Sequence, residues 1–147
     1  MATKIFINLP VRDLQRSMDF FTHLGFSFNP QFTDNKAACL VLGDNIFAML
    51  LTHPFFQGFT KKPIADATTT TEALICIDAE SREAVDSMVR RAAQAGGSLY
   101  DEPRDHGWMY QHSFADPDGH QWEIAYMNEA ALQEMMQPNG SATASEV

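Results

Sequence analysis

Cysteine is scarce in this sequence: Cys39 and Cys76 are the only two among 147 residues, and both lie in apolar runs. Two buried, reduced thiols of a cytosolic protein are expected in preference to a disulfide. Basic charge is also in short supply, with 10 Lys and Arg against 19 Asp and Glu and a formal net charge of -9. A nucleic-acid partner needs a basic footprint, whereas Lys61-Lys62 and Arg90-Arg91 are isolated pairs that read as solvated surface. The acidic balance likewise argues against an anionic membrane as partner. No apolar run approaches the length of a bilayer span. The opening Met1-Ala2-Thr3-Lys4 leads straight into strand-like sequence without a signal-peptide core, so a cytoplasmic location is expected. A glycine-rich phosphate loop, a nucleophile elbow and zinc-ribbon spacing are all missing.

What the chain does contain is enough apolar sequence, 45% of residues, for one sizeable core, but not length enough for two ordinary independent domains. Residues 4–11 alternate with a period of two, as a strand does. Asp13 then offers a helix N-cap, Leu14, Met18, Phe21 and Leu24 recur at helical spacing, and Gly25 supplies a left-handed stop. Strands are expected at 26–33, 37–43 and 45–52. The second half repeats this order: a strand around Ile75, a helix capped by Ser81 and ended by Gly96-Gly97, then strands near 98–103, 108–115 and 121–127. Asp116-Pro117-Asp118-Gly119 is a strong hairpin turn, because Pro fixes φ at the second position and Gly accepts a left-handed one.

The predicted fold is therefore α+β, with two tandem βαβββ modules whose mixed, curved sheets enclose a cleft. Residues 1–128 form a single domain: module one at 4–53, a connecting loop at 54–71, and module two at 72–128. Residues 129–147 form a tail, with a helical turn or two through Met136 and frayed sequence from Pro138 to Val147. The connecting segment carries Phe55, Phe56 and Phe59 and is either a flap over the cleft or a tether, with the aromatics favouring a flap.

Strand parity points to the site. Ile5/Ile7/Leu9, Phe47/Met49/Leu51, Ala73/Ile75/Ile77 and Trp122/Ile124/Tyr126 are expected to pack on the helices. The opposite parity carries Phe6/Asn8, Ala48/Leu50/Thr52, Glu72/Leu74/Cys76 and Gln121/Glu123/Ala125. A face that mixes carboxylates, amides and apolar groups suits a small-molecule cleft, although an ordinary wet sheet face has similar composition. His112 lies on the strand paired with Glu123, and its face depends on the register of the turn. His120 is expected to be exposed in the hairpin.

The stretch from Leu9 to Ser17, followed by Phe20-Phe21 and Leu24-Gly25-Phe26, resembles the opening of a vicinal oxygen chelate module. Asp116-Pro117-Asp118-Gly119-His120-Gln121-Trp122-Glu123 resembles the closing signature of the same superfamily, which includes glyoxalases, bleomycin-binding proteins and extradiol dioxygenases. The resemblance covers residues 4–128 and is strongest to the branch related to lactoylglutathione lyase. It implies a fold of the glyoxalase/bleomycin-resistance/dihydroxybiphenyl-dioxygenase kind, a small-molecule partner and a homodimer.

The enzymes of that superfamily usually hold a divalent metal with one ligand from each of four strands. The closing ligand matches Glu123 and the ligand opening the second module matches Glu72. The first-module positions fall on Phe6 and Leu50, which cannot donate an electron pair. Two carboxylates make a poor transition-metal site, so no cofactor, or only a weakly bound divalent metal, is expected. Asn8 and His112 could add donors. The implied strand order makes Glu72 and Glu123 neighbours, a pair suited to proton transfer beside a carbonyl. Two functions follow: a glyoxalase-like lyase or isomerase acting on a small carbonyl compound or thiol adduct with Glu123 as acid/base, or a non-catalytic small-molecule-binding protein of the bleomycin-resistance kind. The ligand-binding residues expected in either case are Phe6, Asn8, Leu50, His112 and Gln121.

Overall fold

The computed structural model describes residues 1–137; the expected fraying from Pro138 to Val147 lies outside the described residues. The first module runs β1 (Ile5–Val11), α1 (Leu14–His23), β2 (Ser27–Asn29), β3 (Ala37–Gly43) and β4 (Ile46–Thr52). A short helix, α2 (His53–Gln57), leads into the connecting loop. The second module runs β5 (Leu74–Asp78), α3 (Arg82–Gln94), β6 (Arg104–Asp105), β7 (Met109–Ala115) and β8 (Gln121–Met127), and α4 (Glu129–Met136) follows it. Among the described residues no helix is long and apolar enough to cross a membrane.

Both main helices start where the sequence places their caps. The Asp13 carboxylate accepts from the Arg16 amide and the Ser81 hydroxyl from the Ala84 amide, each satisfying a donor that the first turn leaves free. Each module then forms a four-stranded mixed sheet. The orders are β1-β4-β3-β2 and β5-β8-β7-β6, with β1 parallel to β4 and β5 parallel to β8.

Three strand expectations need correction. The stretch 26–33 keeps only three strand residues before a 3-10 turn at Pro30–Phe32, because Pro30 cannot donate to a ladder. The stretch 98–103 contributes a single bridge, Ser98 to Ala115, and the edge strand forms later at Arg104–Asp105. The parity of β4 is the reverse of that expected. Ile7 pairs with Ala48 and Leu9 with Leu50, so Ala48 and Leu50 face the helices and are fully buried, while Phe47, Met49 and Leu51 take the opposite face. Residues 46–51 are apolar throughout, so either parity reads as a core face, and the pairing of β4 with β1 decides which one is.

One core serves both modules. Val11, Phe20, Phe21, Leu40 and Leu50 from the first share it with Val85, Val89, Phe114, Trp122 and Ile124 from the second. The Phe20 ring lies 5.8 Å from that of Phe114, and Phe21 meets Trp122 edge-on at 5.3 Å. Aromatics of α1 thus touch the helix side of the second sheet as well as their own. The helices lie between the sheets, and the two open faces look away from the common core. The cleft expected between them is not enclosed within one chain.

The turn of the closing motif fastens the modules together. Asp118 accepts from the Arg12 amide at 2.9 Å and from the Ser17 hydroxyl at 3.1 Å. His120 is not free in the hairpin: its Nε2 lies 2.7 Å from the Pro10 carbonyl oxygen. Asp116 accepts from the Trp122 indole at 3.1 Å and from the amides of Asp118 and His120 at 3.0 Å. Burial pushes its carboxyl up, against the opposing pull of His120 and of the indole N–H. Gly119 has φ +92, and a Cβ there would fall 2.7 Å from the Ala67 backbone, so the connecting loop seats directly on the turn. The other end of that segment is also docked, since α2 packs on β1 and β4. Phe55 meets Phe59 edge-on at 5.1 Å.

Candidate functional site

Glu123 sits on the open face of the second sheet, half-buried in β8. Two register partners flank it, Cys76 on β5 and Ser113 on β7. The Gln111 amide donates to its Oε2 at 3.1 Å, which holds the carboxylate against the sheet and leaves Oε1 available. Its charge is felt by its neighbours. Although the residue is exposed, partial desolvation of its thiol pushes Cys76 up, and the adjacent Glu123 and Asp78 add to the shift. The Tyr100 phenol is likewise raised, first by burial and then by Glu123 and Asp101, with a Ser113 hydrogen bond acting against them. Toward the hairpin, Thr71 Oγ1 donates to Gln121 Oε1 in a short hydrogen bond. This face can therefore offer a fixed negative charge, an amide, a phenol and a thiol to a bound molecule.

The open face of the first sheet is apolar. Phe6 stacks on its register partner Phe47 with centroids 4.9 Å apart and planes 14° from parallel. Asn8 pairs with Met49 and is the polar side chain of β1 on this face. Phe6 is 53% exposed, unusual for a large aromatic side chain.

Of the residues expected at the site, Glu123 and Gln121 share one open face and Phe6 and Asn8 the other. Leu50 does not belong with them, because it is a core residue of β4. His112 pairs with Ile124 and so points to the helix side of β7. Glu72 lies exposed ahead of β5, and the residue opposite Glu123 is Cys76, so the two carboxylates are not paired. Cys76 is also exposed, not buried as expected for both thiols. Gln111, Ser113 and Met49 were not foreseen. The hairpin itself held the signal for the first two: a four-residue Asp116–Gly119 turn makes Ala115 oppose Gln121 and hence Ser113 oppose Glu123.

The donor set does not fit a four-ligand divalent metal. Glu123 is a carboxylate and Cys76 a thiol of raised pKa, but the first-sheet face presents Phe6, Phe47 and Met49. Among the described residues, no group of three or more His, Cys, Asp or Glu side chains could hold a metal ion.

Known structures share this fold. A hypothetical protein from S. aureus superposes with a TM-score of 0.73 at 29% identity, covering 86% of this chain and 95% of its own. A glyoxalase-related enzyme from Fulvimarina pelagi gives 0.73 at 20% identity, covering 86% and 88%. A bleomycin resistance determinant encoded on transposon Tn5 gives 0.59 at 20% identity, covering 86% and 98%. Among curated proteins, none matches. The sequence model of one family matches residues 5–124, nearly the whole of both modules. On that match, the chain belongs to the glyoxalase/bleomycin resistance protein/dioxygenase superfamily.

Proposed function

We propose that this protein binds a small molecule carrying a cationic or hydrogen-bond-donating group on a flat apolar body, with Glu123 as the charged anchor, and that it does so as a homodimer. The observation that carries this reading is the contrast between the two open faces. One holds a carboxylate fixed by Gln111, and the other is a stacked aromatic surface with an exposed edge. A charge and an aromatic face are complementary to such a ligand from opposite sides. The faces look away from each other within one chain, so a two-walled site needs a second copy, whose apolar face would cover the Glu123 face of the first. Two-fold pairing would create two equivalent sites. A sequestering role of the bleomycin-resistance kind suits a site without a full set of metal donors.

A glyoxalase-type lyase with Glu123 as general base is the second reading, supported by the free Oε1 and the neighbouring Tyr100 phenol as a proton donor. The test separates the two. The untagged protein is analysed for metals, then titrated with bleomycin and assayed for turnover of the methylglyoxal–glutathione hemithioacetal. The binding reading expects saturable binding with no turnover, weakened roughly tenfold by Glu123→Gln. Turnover that disappears in Glu123→Gln would replace it with the lyase reading. Stoichiometric transition metal bound through Glu123 would overturn the donor argument.

A further inference from the structure

A second feature of the molecule adjoins the Glu123 face at the hairpin end. A pocket of about 470 Å³ opens at the hairpin end of the second sheet, between the loop Thr68–Thr71 on one side and Ser98, Tyr100 and Gln121 on the other. Its chemistry follows from where the loop hydroxyls have sent their protons. Thr68 Oγ1 donates to Asp66 Oδ1 at 2.6 Å. Thr69 and Thr70 donate to the Asp66 carbonyl at 3.2 and 3.0 Å, and Thr71 donates to Gln121 Oε1. A hydroxyl has one proton and two lone pairs, so all four threonines have acceptor capacity left to offer and no proton. Gln121 is the converse. Its oxygen is engaged by Thr71, and its Nε2 protons have no protein acceptor among the described residues.

No Lys or Arg lines this pocket. Its one carboxylate, Asp116, is buried and already accepts three hydrogen bonds, from Trp122, Asp118 and His120. Tyr100, 43% exposed, adds an aromatic surface beside these polar groups. An anion would meet an array of oxygen lone pairs with no cation to offset them. An ammonium could use the acceptors but would leave the Gln121 amide protons facing it. A hydroxyl both donates and accepts, and it satisfies each kind of lining group in turn. The C–H face of a sugar ring or polyol would lie against Tyr100.

We propose that this pocket binds a neutral polyhydroxylated group, a sugar or a polyol. The pocket shares Gln121 and Tyr100 with the Glu123 face, but the proposal rests on its threonine loop and does not require any role for Glu123 itself.

The test is a titration of the isotope-labelled full chain with methyl α-glucopyranoside, methyl α-galactopyranoside and myo-inositol, followed by amide chemical shifts. Glucosamine and glucuronate serve as charged counterparts. The expected result is saturable, millimolar-range binding of at least one neutral probe, with shifts centred on Thr69–Thr71, Gly96 and Ser98. Thr71→Val and Tyr100→Ala alter exposed side chains, and each should weaken that binding by roughly fivefold or more. If either variant fails to fold, the wild-type shift map still decides. No saturable shift at roughly 0.1 M of any neutral probe overturns the proposal. So does a shift pattern centred elsewhere, or a charged sugar that binds roughly tenfold more tightly than every neutral one.

Discussion

Ser17 on α1 donates its hydroxyl to Asp118 across 3.1 Å, and the two residues are 1% and 4% exposed. They are 101 positions apart in sequence, in different modules. Asp118 also accepts from the Arg12 amide, and the Arg16 guanidinium approaches it at 3.7 Å. Truncating this carboxylate leaves a buried hydroxyl and a backbone amide without their acceptor. Asp118→Ala should therefore cost about 2–4 kcal/mol of stability, read by urea unfolding. Ser17→Ala should cost about 1 kcal/mol, and the double mutant should show a coupling of similar size. A coupling near zero would mean that the shared apolar core alone joins the modules.

The pH limits of stability should carry the marks of two polar contacts on the helix side of the second sheet. The Tyr110 hydroxyl donates to Asp86 at 2.6 Å, and chiefly through that bond its pKa is pushed up to about 12 from 10.0. Because the folded value is raised, this contribution is complete below pH 10.0 and is lost as pH rises through about 12. Asp105 behaves oppositely. The Arg82 guanidinium, bonded to it at 2.7 and 3.1 Å, holds it at about 2 instead of 3.8. Its contribution is present above pH 3.8 and is lost as pH falls through about 2. Tyr110→Phe should flatten the alkaline limb of a melting-temperature profile, and Asp105→Asn the acid limb. Limbs unchanged in both variants would show that neither contact survives in solution.

The proposed dimer would be built on Phe6, whose ring stacks on Phe47 yet remains 53% exposed. Phe6→Glu puts a charge on that surface without touching the core. It should convert a dimer to monomers in sedimentation at micromolar concentration, with little loss of monomer stability. Wild-type protein that already sediments as a monomer would remove the second wall from the proposed site while leaving the fold intact.

The sequence exposed the two helix starts and the last hairpin because each of these boundaries has a local cause. Asp13 and Ser81 cap helices through their own side chains, and Asp116 to Gly119 turn the chain through fixed dihedrals. The site was less legible, because a residue's face depends on pairing partners far away in sequence. His112 faces the helix side since it opposes Ile124, a consequence of hairpin register. Glu72 falls short of Glu123 because the parallel pairing of β5 with β8 brings Cys76 opposite it. The closing motif shows a further limit. Asp116, Asp118 and His120 hold the turn and the module junction, whereas Glu123 and Gln121 of the same motif reach the open face.

The reversed parity of β4 makes the sharpest prediction. Leu50 is 0% exposed on the helix side, while Met49 lies on the open face in register with Asn8. Glutamate at position 50 would have to ionise inside an apolar core or fold with its carboxyl protonated. Either route costs several kcal/mol. Leu50→Glu should therefore unfold the protein or lower its stability by roughly 4 kcal/mol or more. Met49→Glu lets the new carboxylate reach solvent, so its cost should stay under about 1.5 kcal/mol. Chemical denaturation of the two variants measures the contrast directly. If Leu50→Glu were tolerated and Met49→Glu were not, the strand would have the parity first expected from the sequence. Leu50 would then line the ligand face, Phe47 would turn into the core, and the aromatic wall proposed opposite Glu123 would lose its stacked partner.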